Sequence, residues 1–122
     1  MGRRVLLIED EPNIIEAISF ILSRDGWTVH THADGASAMD RLRAHPPDIV
    51  ILDVMLPGRS GFDILQELRQ TDGFETLPVM MLTARGQAKD RELAERLGVT
   101  QFMTKPFSNA EILSSVRQLA ET

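Results

Sequence analysis

The chain has 122 residues, the length of one ordinary domain, and its 43% apolar and 25% charged content excludes a disordered or low-complexity chain. The absence of cysteine excludes a disulfide scaffold, a thiol nucleophile and cysteine-based zinc or iron–sulfur sites. Thirteen Lys and Arg against eighteen Asp and Glu give a net charge of −5, the wrong balance for gripping nucleic acid by charge.

The first apolar run, Val5-Leu6-Leu7-Ile8, is too short for a signal peptide or a membrane span. It has instead the pattern of a strand buried on both faces. Ile14, Ile18, Ile21 and Leu22 then fall on one face of a helix beginning near Pro12, with Gly26 as its stop. Trp27–Thr31 reads as a more polar strand, suited to a sheet edge. Asp34 is placed to cap a second helix through Ala38, Met39 and Leu42, which Pro46-Pro47 ends. Ile49-Val50-Ile51-Leu52 repeats the buried-strand signature, and Phe62, Leu65 and Leu68 mark the helix after it. Val79-Met80-Met81-Leu82 is the fourth strand, and Leu93 and Leu97 mark a fourth helix ended by Gly98. Gln101–Thr104 is a second edge candidate. Ser108 and Glu111 form a capping box before Ile112, Leu113, Val116 and Leu119. Five strand–helix units, with no internal repeat or linker, predict one α/β domain over residues 1–122: a parallel sheet covered by helices on both faces.

Parallel strands all end at the same edge, and ligands bind beyond that edge. Glu9, Asp10 and Glu11 follow the first strand, while the third ends in Asp53, the fourth in Thr83 and the fifth in Lys105. Each has a bland reading alone: Asp10 as a helix cap, Asp53 as a turn carboxylate, Thr83 as a turn hydroxyl, Lys105 as a solvated cation. Brought to one edge they form a set. Crowded carboxylates require a proton or a cation, and hard oxygen ligands suit Mg²⁺. Such an ion would neutralise an incoming phosphoryl group, Lys105 would add positive charge and Thr83 a hydrogen bond. This is equipment for phosphoryl transfer onto a carboxylate, with Asp53 as acceptor.

Five pieces in order carry a family likeness: Val5–Glu11, Asp48–Pro57 with Gly61, Leu82-Thr83-Ala84-Arg85, Gly98, and Lys105-Pro106-Phe107. Over essentially its whole length the chain resembles the receiver domains of two-component response regulators. The resemblance implies a doubly wound, flavodoxin-like (βα)5 fold with sheet order 2-1-3-4-5, and a cis peptide at Lys105-Pro106. It implies phosphorylation of Asp53 by a histidine kinase or a histidine phosphotransfer protein. Mg²⁺ would sit on Asp10, Asp53 and the backbone carbonyl of Met55, with Glu9 helping through water, and Thr83 and Lys105 would contact the phosphoryl group. Thr83 and Phe102 would be the switch pair, altering the surface of the fourth helix, fifth strand and fifth helix. A downstream effector or output domain would read that surface. Met55 and Arg85 border the phosphoryl group in this family, and neither supplies a base, so slow self-dephosphorylation is expected. Thr100 and Gln101 replace acids common beside the fifth strand, and Ser115 replaces a frequent arginine, so a monomer or a weak phosphorylation-dependent dimer is expected. The expected setting is cytoplasmic, without direct nucleic-acid or membrane binding, as a signalling phosphoacceptor rather than an enzyme.

Rival readings meet specific obstacles. A dinucleotide- or flavin-binding domain would share the architecture, but Glu9-Asp10-Glu11 would repel a pyrophosphate, and no Walker A sequence is present. An aspartate-based Mg²⁺ phosphatase generally carries an acid two residues after its nucleophile, where this chain has Met55. His30 and His32 lack a third metal ligand in view. A pseudo-receiver that binds partners without being phosphorylated would be favoured by loss of an acid or the lysine, and all are present.

Overall fold

The computed structural model describes residues 3–84 and 88–121. Its elements run β1 (Arg3–Ile8), α1 (Pro12–Arg24), β2 (Trp27–His32), α2 (Ala38–Ala44), β3 (Ile49–Asp53), α3 (Gly61–Arg69), β4 (Val79–Thr83), α4 (Ala88–Arg96), β5 (Gln101–Thr104) and α5 (Asn109–Ala120). The strands form one parallel sheet in the order β2-β1-β3-β4-β5, so the two more polar strands are the edges, as expected. Strand alternation divides the apolar residues between two cores. Leu6, Ile8, Val50, Leu52, Val79 and Met81 pack against α2, α3 and Ala94 of α4. Val5, Leu7, Ile49, Ile51, Met80 and Leu82 pack against α1 and α5 on the other face. Continuous apolar runs are what a sheet covered on both sides requires.

The helix ends follow local chemistry. Gly26 and Gly98 stand at φ +93° and +95°, left-handed positions that end the chain's first and fourth helical segments at little steric cost. The capping box of α5 is complete: Glu111 N donates to Ser108 Oγ at 3.1 Å, and Ser108 N to Glu111 Oε1 at 2.8 Å. Ser60 caps α3 in the same sense.

Two local expectations change. Asp34 does not cap α2; its carboxylate accepts from Ala36 N and Ser37 Oγ, closing a turn, and the helix begins only at Ala38. An aspartate's side chain serves a turn two residues on as readily as a helix. Leu97 lies one residue beyond α4, whose only fully buried residue is Ala94. Asp53 and Thr83 are the last residues of β3 and β4, as expected, so the backbone pairing of the sheet holds both.

Candidate functional site

Four strand ends deliver the predicted residues to one place. Glu9 directly follows β1 and is fully buried, its backbone N–H donating to the His32 carbonyl of the edge strand at 3.0 Å. One carboxylate oxygen, Oε2, accepts from the amides of Asp10 and Glu11 at 3.0 and 3.2 Å. The other, Oε1, faces Lys105 Nζ at 2.9 Å, off the geometry of a hydrogen bond. Lys105 also lies 3.5 Å from Asp53 Oδ1. Asp53 is 4% exposed and Thr83 3%, so acceptor and hydroxyl are both held within the sheet's end. Lys105 is seated there by its own amide, which donates to the Thr83 carbonyl at 2.7 Å, and its bond to Pro106 is cis.

Asp10 is exposed, and it is not a helix cap: Glu11 holds that position in α1, without a side-chain capping bond. Oxygens of Glu9, Asp10 and Asp53 lie within 4.8 Å of one another. Among the described residues this is the one cluster of His, Cys, Asp or Glu with the spacing of a metal site. His30 and His32 join no such cluster; His32 Nε2 is instead 2.8 Å from Ser37 Oγ.

The electrostatics follow from three carboxylates around one ammonium. Burial, then hydrogen bonding and repulsion from Glu9, push the Asp53 carboxyl up to about 7, against the pull of Lys105 and the Met55 amide. Burial raises Glu9 too, but contacts with Lys105 and Asp53 and the Glu11 amide outweigh it, leaving Glu9 below the usual carboxylate range. Burial opposes charge on Lys105 as well, yet the two acids hold it above its ordinary value. The pair thus favours retaining a proton on Asp53, and a divalent cation would relieve the same crowding. The donor set fits Mg²⁺: hard oxygens, one of them on an exposed side chain, with solvent on one side.

Two further contributions come from the backbone. The Met55 amide supports the Asp53 carboxylate, although only the Met55 carbonyl had been expected to matter. Gly61 opens α3 against the backbone of Asp53: a Cβ there would collide with the Asp53 carbonyl oxygen, so only glycine permits the approach. The Met55 side chain is 74% exposed beside the site. Arg85 lies outside the described residues. Phe102 is half-buried in β5, with the Arg91 guanidinium of α4 5.3 Å from its ring centroid.

The sequence profile of the response regulator receiver domain matches residues 5–117. Among solved structures, a candidate response regulator from Chloroflexus aurantiacus J-10-fl superposes with a TM-score of 0.95 at 28% identity, covering 100% of both chains. The receiver domain of sensor histidine kinase PA1611 from Pseudomonas aeruginosa PAO1, which has a magnesium ion coordinated in its active site cleft, gives 0.90 at 28% identity over 100% of both chains. Chemotaxis response regulator CheY4 of Vibrio cholerae gives 0.91 at 26% identity, covering 98% of this chain and 99% of its own.

Proposed function

The chain belongs to the response regulator receiver domain family of two-component signalling, and from that premise we propose that Asp53 is its phosphoacceptor, charged by a histidine kinase or a histidine phosphotransfer protein. The observation that carries this reading is the convergence of buried Glu9, Asp53 and Thr83 with Lys105 at one sheet edge. In the transfer the donor's phosphorus–nitrogen bond breaks, its electron pair returns to the imidazole, and a phosphorus–oxygen bond to Asp53 forms. Positioning is most of what a protein contributes to such a step. Here the end of β3 fixes the acceptor, Lys105 stands ready for the added negative charge, and Thr83 offers its hydroxyl. Asp10, Asp53 and the Met55 carbonyl would hold Mg²⁺, with Glu9 assisting through water. Bound there, Mg²⁺ supplies the positive charge that lets a phosphoryl group enter an acidic pocket.

The same reading takes residues 1–122 as one cytoplasmic receiver domain, a signalling phosphoacceptor rather than a classical enzyme. Among the described residues no helix is long and apolar enough to cross a membrane. Thr83 and Phe102 form the switch, and the surface of α4, β5 and α5 is read by an effector or output domain. The domain is a monomer or a weak phosphorylation-dependent dimer. Met55 and Arg85 give the phosphoryl group a long life, so a Met55→Asn, Arg85→Glu double variant should lose phosphate faster after donor removal. The aspartate-phosphatase alternative lacks the acid it needs two residues after Asp53.

Intact-mass spectrometry after incubation with acetyl phosphate tests the core of this reading. Wild type should gain one phosphoryl group only with Mg²⁺, Asp10→Asn should gain it slowly, and Asp53→Asn should gain none while keeping its circular dichroism spectrum. Full labelling of Asp53→Asn would remove Asp53 as the acceptor.

A further inference from the structure

At the end of the sheet opposite the acid cluster, β1, β2 and the end of α2 enclose a cleft of about 350 Å³. Strand alternation and the pairing of Leu6 with His30 set Arg4, Leu6 and His30 on the sheet face that α2 covers. Arg41, in the last turn of α2, and His45, the residue that caps its C-terminus, stand four residues apart and both line the cleft. Two guanidinium groups and two imidazoles therefore line one cleft, over an apolar floor that includes Leu6 and Pro47.

No carboxylate lines it. Among the described residues neither the Arg4 nor the Arg41 side chain is ion-paired, although acids outnumber bases in this chain. Arg41 spends Nη1 on the His45 carbonyl at 3.0 Å, which fixes the guanidinium and leaves its remaining N–H groups. The nearby Asp48 is bound to the Arg4 backbone, accepting from its amide at 2.7 Å. A second cleft, at Arg3 and Trp27, is built otherwise: Asp25 and Glu121 line it with Arg3 and Arg117, and Arg117 is bound to Asp25.

Concentrated, unpaired guanidinium charge recognises planar or tetrahedral oxyanions through its fork of donors, and a cleft of this size with an apolar floor suits a small molecule. We propose that this cleft binds a small organic phosphate monoester, its dianionic head between Arg4 and Arg41 with His30 and His45 as further donors, and its body against Pro47. The site is separate from the phosphoacceptor and does not depend on it.

Amide ¹H–¹⁵N spectra of the labelled chain, titrated without Mg²⁺, test this with adenosine monophosphate, glucose 6-phosphate and inorganic phosphate as probes. Saturable shifts are expected at residues 4–6, 29–31 and 41–45 for at least one ester, and the preferred ester identifies the body the floor accepts. The Arg4→Gln, Arg41→Gln double variant should bind that ester about tenfold more weakly. Arg41→Lys, which keeps charge but not the fork, should fall between the two. Both replacements are at the surface, and unchanged melting curves would show the variants folded. Shifts confined to residues 9–11 and 53–55, shifts that never saturate, or equal affinity in the double variant would overturn the site. Inorganic phosphate binding as tightly as either ester would overturn the role of the apolar floor.

Discussion

β3 and β4 are buried at every residue, whereas β5, on the outer side of β4, is only half-buried at each of its residues. Their helices differ in the same way. α3 buries Gly61, Ile64, Leu65 and Leu68, while α4 buries Ala94 alone. α5 lies on the same flank of the sheet as β5 but is not loose, because Ile112, Val116 and Leu119 share a core with Ile18 and Leu22 of α1. On this side of the sheet the weakly held part is therefore narrow: α4 and β5, next to Asp53, the proposed phosphoacceptor, at the end of a fully packed strand. Elements with little buried apolar surface open at low free energy, and switching elements are drawn from that class. The contrast sets the proposed phosphoacceptor beside the least packed elements of that side of the sheet.

The largest expected effect tests the packing difference itself. Leu52→Ala removes a fully buried side chain from β3 and should cost about 2–5 kcal/mol; Phe102→Ala in β5 should cost less, because Phe102 is only partly buried. Urea denaturation of the two variants gives both numbers, and amide exchange should show α4 and β5 opening well below the global unfolding energy. Equal costs would break the comparison. A smaller effect concerns transmission across the boundary. With beryllofluoride and Mg²⁺ as a phosphoryl mimic, wild-type amide shifts should extend from residues 53 and 83 into α4 and β5. Thr83→Ala should keep the shifts near Asp53 and lose much of those in α4 and β5. Undiminished shifts in α4 and β5 would take Thr83 out of the switch.

The fold could be read from the chain because its buried strands are unbroken apolar runs, and two-sided burial leaves few other readings. The site could be read because parallel strands carry their last residues to one edge, however far apart these lie in sequence. What each group would do on arrival was less accessible. Glu9 counts as one more acid in a sequence, yet half of its carboxylate serves the amides of Asp10 and Glu11, a use decided by the path of the backbone after β1. Asp34 has the chemistry of a helix cap and of a turn, and the positions of Ala36 N and Ser37 Oγ select the turn. α4 shows the limit of periodicity. Leu93 and Leu97 carry the apolar signal, but the side chain that anchors the helix is Ala94, small and scarcely hydrophobic, so a weakly packed helix also leaves a weak pattern. The basic cleft left no signal, since Arg4, His30, Arg41 and His45 meet only through the pairing of β1 with β2 and the seating of α2.

The smallest effect sharpens the distinction between α5 and α4. α5 is tied to the end of α1 by a two-pronged pair: Arg117 Nη2 donates to Asp25 Oδ1 at 2.7 Å, and Nε to Oδ2 at 3.3 Å. The hydrogen bonds from Arg117 hold the Asp25 carboxyl below its ordinary value of 3.8, against the opposing effect of burial and with help from the Arg117 charge. A carboxyl whose folded value lies below its unfolded value binds its proton more tightly in the unfolded chain. Its stabilising effect is therefore complete above the unfolded value and is lost as pH falls below about 4. Arg117→Gln should lower stability slightly at neutral pH, and the gap from wild type should close on acidification and narrow with added salt, because the pair is solvent-exposed. Thermal melts of both proteins from neutral to acidic pH, at low and high salt, measure this. Amide exchange in α5 should rise slightly in the variant while α4 stays as it was. A gap that persists unchanged below pH 3, or a rise that appears in α4 instead, would show that α5 is held by its apolar face alone and that this pair plays no part in separating the firm flank from the loose one.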